Sequence, residues 1–138
     1  MEWTVTFDQC GGAALVRTRG EFNITDHRRM IADIVTRDEW YPGHPILFDH
    51  RQLSFGAVGY ADMKDALDNH SLYEDRIGKA RSAILMKSIA DYGLGRQFQG
   101  LADGHVSAEL QVFTDESSAT EWLCRVDDAS KETVAGSD

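Results

Sequence analysis

Trp3, Val5 and Phe7 alternate with Thr4 and Thr6, the period-two signature of a strand that buries one face. Gly11-Gly12 marks a turn, after which Ala13 to Arg19, centred on Leu15-Val16, predicts a second strand ended by Gly20. So short a connection makes the pair an antiparallel hairpin. The period then changes. Met30, Ile31, Ile34 and Val35 recur at helical spacing behind Thr25 or Asp26, either of which can cap the free amides of a first turn. Pro42, Gly43 and Pro45 break that pattern. Ile46-Leu47-Phe48, apolar without interruption, then predicts a central strand covered on both faces.

A loop is expected from about Arg51 to Val58, followed by a second helix with Tyr60, Met63 and Leu67 on one face. His70-Ser71-Leu72-Tyr73 interrupts that helix and reads as a candidate flap. Ala83-Ile84-Leu85-Met86 predicts another interior strand. Ser88 to Asp91 fits the S-x-x-D signature that opens a helix, here one running toward Leu101. Gly93 and Gly95 lie inside it, each costing about 1 kcal/mol relative to alanine; they either admit close packing or break the backbone. Leu110, Val112 and Phe113 belong to a last strand. Asp115 can cap a final helix in which Ala119, Trp122, Leu123 and Val126 form one apolar face.

The element order is therefore β-β-α-β-α-β-α-β-α. Strands alternating with helices imply right-handed crossovers and parallel pairing. The expected fold is α/β: a mixed five-stranded sheet with an N-terminal antiparallel hairpin and flanking helices. Residues 1–126 form one domain, and 127–138, acidic and small, read as a frayed tail. The core is expected to take Phe7, Leu15, Ile31, Ile34, Leu47, Leu67, Ile84, Leu85, Val112 and Trp122.

Composition narrows the function classes. Hydrophobic residues make up 42% of the 138, enough for a core without metals or disulfides. The formal charge of -9 opposes nucleic acid and anionic membrane as partners, since both need a cationic face, and Arg28-Arg29 is the one tight basic cluster. No run approaches the ~18 apolar residues of a membrane span, and the first residues lack the basic and apolar regions of a signal peptide. A cytoplasmic domain is expected. Cys10 and Cys124 lie far apart with no CxxC motif, so both are expected as reduced thiols.

Several stretches together carry a resemblance. They are Ile46-Leu47-Phe48-Asp49, Ala83-Ile84-Leu85-Met86, Tyr92-Gly93-Leu94-Gly95-Arg96-Gln97-Phe98 running to Leu101-Ala102, and Val112-Phe113-Thr114-Asp115-Glu116 followed by Ala119 and Trp122-Leu123. Over roughly residues 3 to 125 the chain resembles the SpoIIAA-like family, which is related to STAS regulatory domains and similar in fold to lipid-carrying CRAL-TRIO domains. The resemblance implies a small, often dimeric, bacterial binding or regulatory module. STAS antagonists of anti-sigma factors carry a phosphorylatable serine in an Asp-Ser-Ser-Gly-like turn. Here the region reads Asp49-His50-Arg51-Gln52-Leu53-Ser54-Phe55-Gly56, with Ser54 the nearest match and no acid before it.

Candidate chemistry is sparse. There is no G-x-S-x-G elbow, no HExxH pair and no complete G-x-G-x-x-G loop. No catalytic residue, metal site or cofactor is assigned, and the chain is read as non-enzymatic. Ligands of open α/β sheets bind beyond the carboxyl ends of the strands. That places the expected ligand contacts at Asp49, Arg51, Ser54, Tyr60 and Met63, with Ser88 at an anion-friendly helix start. The expected partner is a small apolar, lipid-like ligand or a protein, with a homodimer possible. Ser54 as a phosphoacceptor in a partner switch is the alternative.

Overall fold

The computed structural model describes residues 1–9 and 12–124. Its strands are β1 (Glu2–Gln9), β2 (Ala13–Glu21), β3 (Ile46–Ser54), β4 (Arg81–Leu85) and β5 (Glu109–Phe113). They form one sheet in sequential order. β1 is antiparallel to β2, and every later neighbour is parallel. The helices are α1 (Ile24–Val35), α2 (Tyr60–Leu72), the single turn α3 (Glu74–Ile77), α4 (Ile89–Ala102) and α5, helical from 116 to 124. This is the mixed α/β sheet that the alternating patterns imply.

Sequential strand order fixes the layers. Each parallel crossover steps to the next strand in the same direction, and crossovers are right-handed. The intervening helices therefore share one face. There Val16, Ile46, Phe48, Ile84 and Val112 of the sheet pack with Met30, Ile31, Ile34 and Val35 of α1 and Leu67 of α2. On the opposite face Leu15, Leu47, Ala83 and Leu85 pack under Ala119 and Leu123 of α5. Of the expected core, Phe7 and Trp122 are only half-buried; the other eight are buried.

Local chemistry explains most boundaries. Asn23, not Thr25 or Asp26, caps α1, its side chain accepting from the Asp26 amide at 2.9 Å. The cap lies one residue before the helix, upstream of where the apolar spacing begins. Ser88 caps α4 as expected, accepting from the Asp91 amide at 3.2 Å. Asp115 accepts from the Ser118 amide at 2.9 Å at the start of α5. Of the two α4 glycines, Gly93 faces open space, whereas a Cβ on Gly95 would lie 2.9 Å from Cγ1 of Val112. Gly95 thus lets α4 lie close to β5, and the helix is unbroken.

Three expectations are corrected. The segment from Arg51 is not a loop at first: β3 continues to Ser54, pairing Gln52, Leu53 and Ser54 with Arg19, Gly20 and Glu21. Its polar side chains hid the strand: Gln52 and Ser54 are exposed, and His50 and Arg51 pair with Thr18 and Asp49. Nor do His70 to Leu72 form a flap. They complete α2, with His70 buried and Leu72 exposed. Cys124 is disulfide-bonded rather than a reduced thiol. Cys10, Val126 and the expected tail, 127–138, lie outside the described residues. No helix of the described residues is long and apolar enough to cross a membrane.

Candidate functional site

A bend in pairing at the end of β3 builds the site. Arg17 pairs with Asp49, but Arg19 pairs with Gln52, so β3 holds one extra residue in this interval. In a regular strand, residues an odd number apart face opposite sides. The extra residue cancels that alternation. His50 and Leu53, three apart, both line a cavity between the sheet and the helix layer, together with Phe48. Irregularities of this kind commonly re-aim side chains beside binding sites.

The cavity holds about 70 Å³ and opens to solvent on one side. One water needs ~10–15 Å³ by this measure, so the space is more than a packing defect. Its lining is apolar apart from three histidines, Asp62 and Met1, whose α-ammonium lies 3.3 Å from a carboxylate oxygen of Asp26. Asp62 is used locally, accepting from the Gly59 amide at 2.9 Å to start α2. No lysine or arginine lines the cavity.

The three histidines come from different elements: His27 from α1, His50 from β3 and His70 from α2. Burial is the first cause of a low proton affinity in each. It holds His27 well below 6.5, helped by the neighbouring His70 and His50. His50 is lowered to about 4 despite the nearby Asp49 charge, and His70 to about 4 despite Glu74. All three are neutral at pH 7.

The hydrogen bonds of His27 define its tautomer. The Asn69 amide nitrogen reaches both the Ile24 carbonyl (3.4 Å) and Nδ1 of His27 (3.0 Å). It therefore donates to His27, leaving the proton on Nε2. The Thr18 hydroxyl lies 3.3 Å from the Asp49 carbonyl and 2.7 Å from Nδ1 of His50. The hydroxyl's one proton can go to either neighbour, so this contact is compatible with both tautomers of His50. Nδ1 of His70 is buried without a hydrogen-bond partner. Leaving such a group unpaired costs about 1–3 kcal/mol.

The sequence-expected contacts divide between two faces. Met63 lines the cavity. Asp49 lies on the opposite face, buried, where Arg51 grips it at 3.0 Å through both Nε and Nη2. Arg17 approaches Asp49 at 3.7 Å and Arg51 reaches Glu116 of α5 at 3.4 Å. Through Arg51 this cluster touches α5 by one exposed ion pair. Ser54 is exposed at the end of β3. Tyr60 is 62% exposed, and Ser88 is occupied as a cap.

His27 and His70 were not singled out by sequence, although a signal existed. His27 precedes Met30, Ile31 and Ile34 on the buried stripe of α1, and His70 follows Met63 and Leu67 on that of α2. An imidazole on an apolar stripe marks a buried polar group. Among the described residues, no group of three or more His, Cys, Asp or Glu is placed to hold a metal ion.

The fold is SpoIIAA-like. It matches the crystal structure of an uncharacterised protein of the DUF3478 family with a SpoIIAA-like fold from Shewanella loihica PV-4. The TM-score is 0.59 at 18% sequence identity, covering 89% of this chain and 93% of that one. No protein-family model matches the sequence, and no curated protein matches it.

Proposed function

We propose that this chain is a non-catalytic binding module that holds a small apolar ligand in the cavity between its sheet and its helix layer. The observation that carries the reading is the cavity itself: apolar walls, an open mouth and about 70 Å³ of space at the carboxyl ends of β3 and β4. Open α/β sheets bind ligands at these ends, and apolar concave sites with a few polar groups are the usual form of a small-molecule site. Of the contacts expected from sequence, Met63 belongs to this reading. Met30 and Met86 join it, and methionine adapts readily to an occupant's shape.

Toluene tests the reading, with the methionine methyl groups as NMR reporters. Titration is expected to move the signals of Met30, Met63 and Met86. The methyls of Leu123, on the far face of the sheet, should stay still. Silence of all three methionines up to the solubility of toluene would overturn it.

A further inference from the structure

Rings and thioethers concentrate around the cavity. All four methionines of the chain and four of its six phenylalanines line it. The lining rings form an unbroken series. Phe48 and His50 have centroids 5.7 Å apart, His50 and Phe55 5.9 Å, and Phe55 and Phe22 6.1 Å. Phe22 and His27 follow at 5.6 Å, His27 and His70 at 5.7 Å, and His70 and Phe98 at 5.7 Å. Successive rings differ in tilt, from 25° between Phe22 and Phe55 to 79° between His50 and Phe55. The wall therefore holds both stacked and edge-on rings. Phe48, His27 and His70 are buried, whereas Phe22, Phe55 and Phe98 are half-buried. The series thus runs from the floor of the cavity to its mouth, and an apolar occupant would take the remaining ring surface out of water.

Two effects separate a flat occupant from an aliphatic one. Ring pairs with centroids about 4.5–7 Å apart gain more than their buried area, because a ring's face is negative and its edge positive. A methionine sulfur ~5 Å from a ring adds a further favourable contact. An aliphatic occupant displaces the same water and gains neither. Size adds a limit on length. A cavity of roughly 150 Å³ accommodates benzene, and about 70 Å³ is enclosed here. One ring would fill the enclosed space and extend between the half-buried phenylalanines, whereas a long acyl chain would lie mostly outside.

We propose that the cavity selects a small aromatic ring over an alkyl or acyl group of the same size, the ring seated among Phe22, Phe48, Phe55 and Phe98. This inference rests on the proposed cavity-binding function and narrows its ligand class.

Three seven-carbon hydrocarbons separate the two ideas: toluene, methylcyclohexane and n-heptane, each titrated at pH 7.5 with the methionine methyls as reporters. None carries a charge or a hydrogen-bonding group, so ion pairing and imidazole tautomers do not choose among them. Each affinity is referred to the probe's own partition from water into hexadecane, which removes ordinary hydrophobicity. On that scale toluene is expected to bind about three- to tenfold tighter than either alkane, the size of one ring contact. Phe55→Leu keeps the wall apolar but interrupts the series between His50 and Phe22. It should reduce the toluene preference by about twofold or more and leave the alkanes nearly unchanged. Binding of toluene equal to or weaker than that of methylcyclohexane, or a preference untouched by Phe55→Leu, would overturn the aromatic inference and leave the cavity reading intact. Tightest binding of n-heptane would replace the ring with an acyl-like chain. Failure of all three probes to bind would remove both readings.

Discussion

Lowering the pH from 7.5 to 5.0 should destabilise this protein well before its carboxylates are involved. His70 is buried at 6% exposure and lowered from 6.5 to about 4. Burial is the main cause, and Glu74 opposes it. A histidine whose folded pKa is depressed binds more protons unfolded than folded between the two values. Stability is then complete above the unfolded pKa and falls as pH drops toward the folded one. At pH 5.0 the unfolded imidazole lies about 1.5 pH units below its own pKa, while the folded one is still mostly neutral. At ~1.36 kcal/mol per unit, the loss is about 2 kcal/mol for His70. His50, also lowered to about 4 against the pull of Asp49, adds up to the same amount, discounted because its ring faces the open cavity. His27, shifted in the same direction by burial and by His70 and His50, adds to the loss. Asp49 behaves oppositely. Burial raises its pKa, but the bonds from Arg51 outweigh this and hold it below 3.8. Its contribution therefore persists until the pH falls below that of an ordinary carboxylate.

The expected total is about 3–4 kcal/mol, a large part of the ~5–15 kcal/mol that holds a typical domain together. Urea denaturation at pH 7.5 and 5.0 would measure it, and the histidine Cε1–H resonances would assign it residue by residue. A His70 titration midpoint near 6.5, or a denaturation midpoint unchanged between the two pH values, would refute the reasoning.

Two further outcomes are expected. Gly93→Ala, into open space, should stabilise by up to about 1 kcal/mol through helix propensity, whereas Gly95→Ala should lose that gain and about 1 kcal/mol more, because the new Cβ meets both γ carbons of Val112 within 3.3 Å; paired urea midpoints that move in the same direction would contradict this. Asp49→Asn should weaken the Arg51 clamp and lower stability by about 1–3 kcal/mol while leaving toluene affinity unchanged, since the clamp lies across the sheet from the cavity; calorimetric melting beside the methyl titration checks both halves.

Fold was legible where side chains report their surroundings directly. Ile46-Leu47-Phe48 and Ala83 to Leu85 are covered on both faces, so their unbroken apolar runs are the imprint of burial. The second half of β3 was not legible. His50 is paired with Thr18 and Arg51 with Asp49, while Gln52 and Ser54 face solvent, so polar residues occupy sheet positions without an apolar run to mark them. The site suffered from the same cause. The expected contacts were placed by strand ends, whereas Asp49 and Arg51 lie across the sheet from the cavity. The feature that decides which side chains enter it is the extra residue between Asp49 and Gln52, a property of pairing with β2. A single strand's sequence does not contain its partner's register. His27 and His70 needed a different step: treating a polar residue on an apolar stripe as a buried group requiring partners.

The placement of α5 bears on how the chain is made. Leu15, Leu47, Ala83 and Leu85 come from β2, β3 and β4, yet their cover, Ala119 and Leu123, follows β5. During synthesis from the N-terminus, the helix-covered face can assemble crossover by crossover as each strand joins its predecessor. The other face must wait with its leucines bare until residue 123 has emerged. A nascent chain paused after β5 would carry a nearly complete sheet with a sticky back, the kind of species that aggregates or recruits chaperones. Arg51 stands at the edge of that bare patch, already held by Asp49, with a second bond waiting for Glu116.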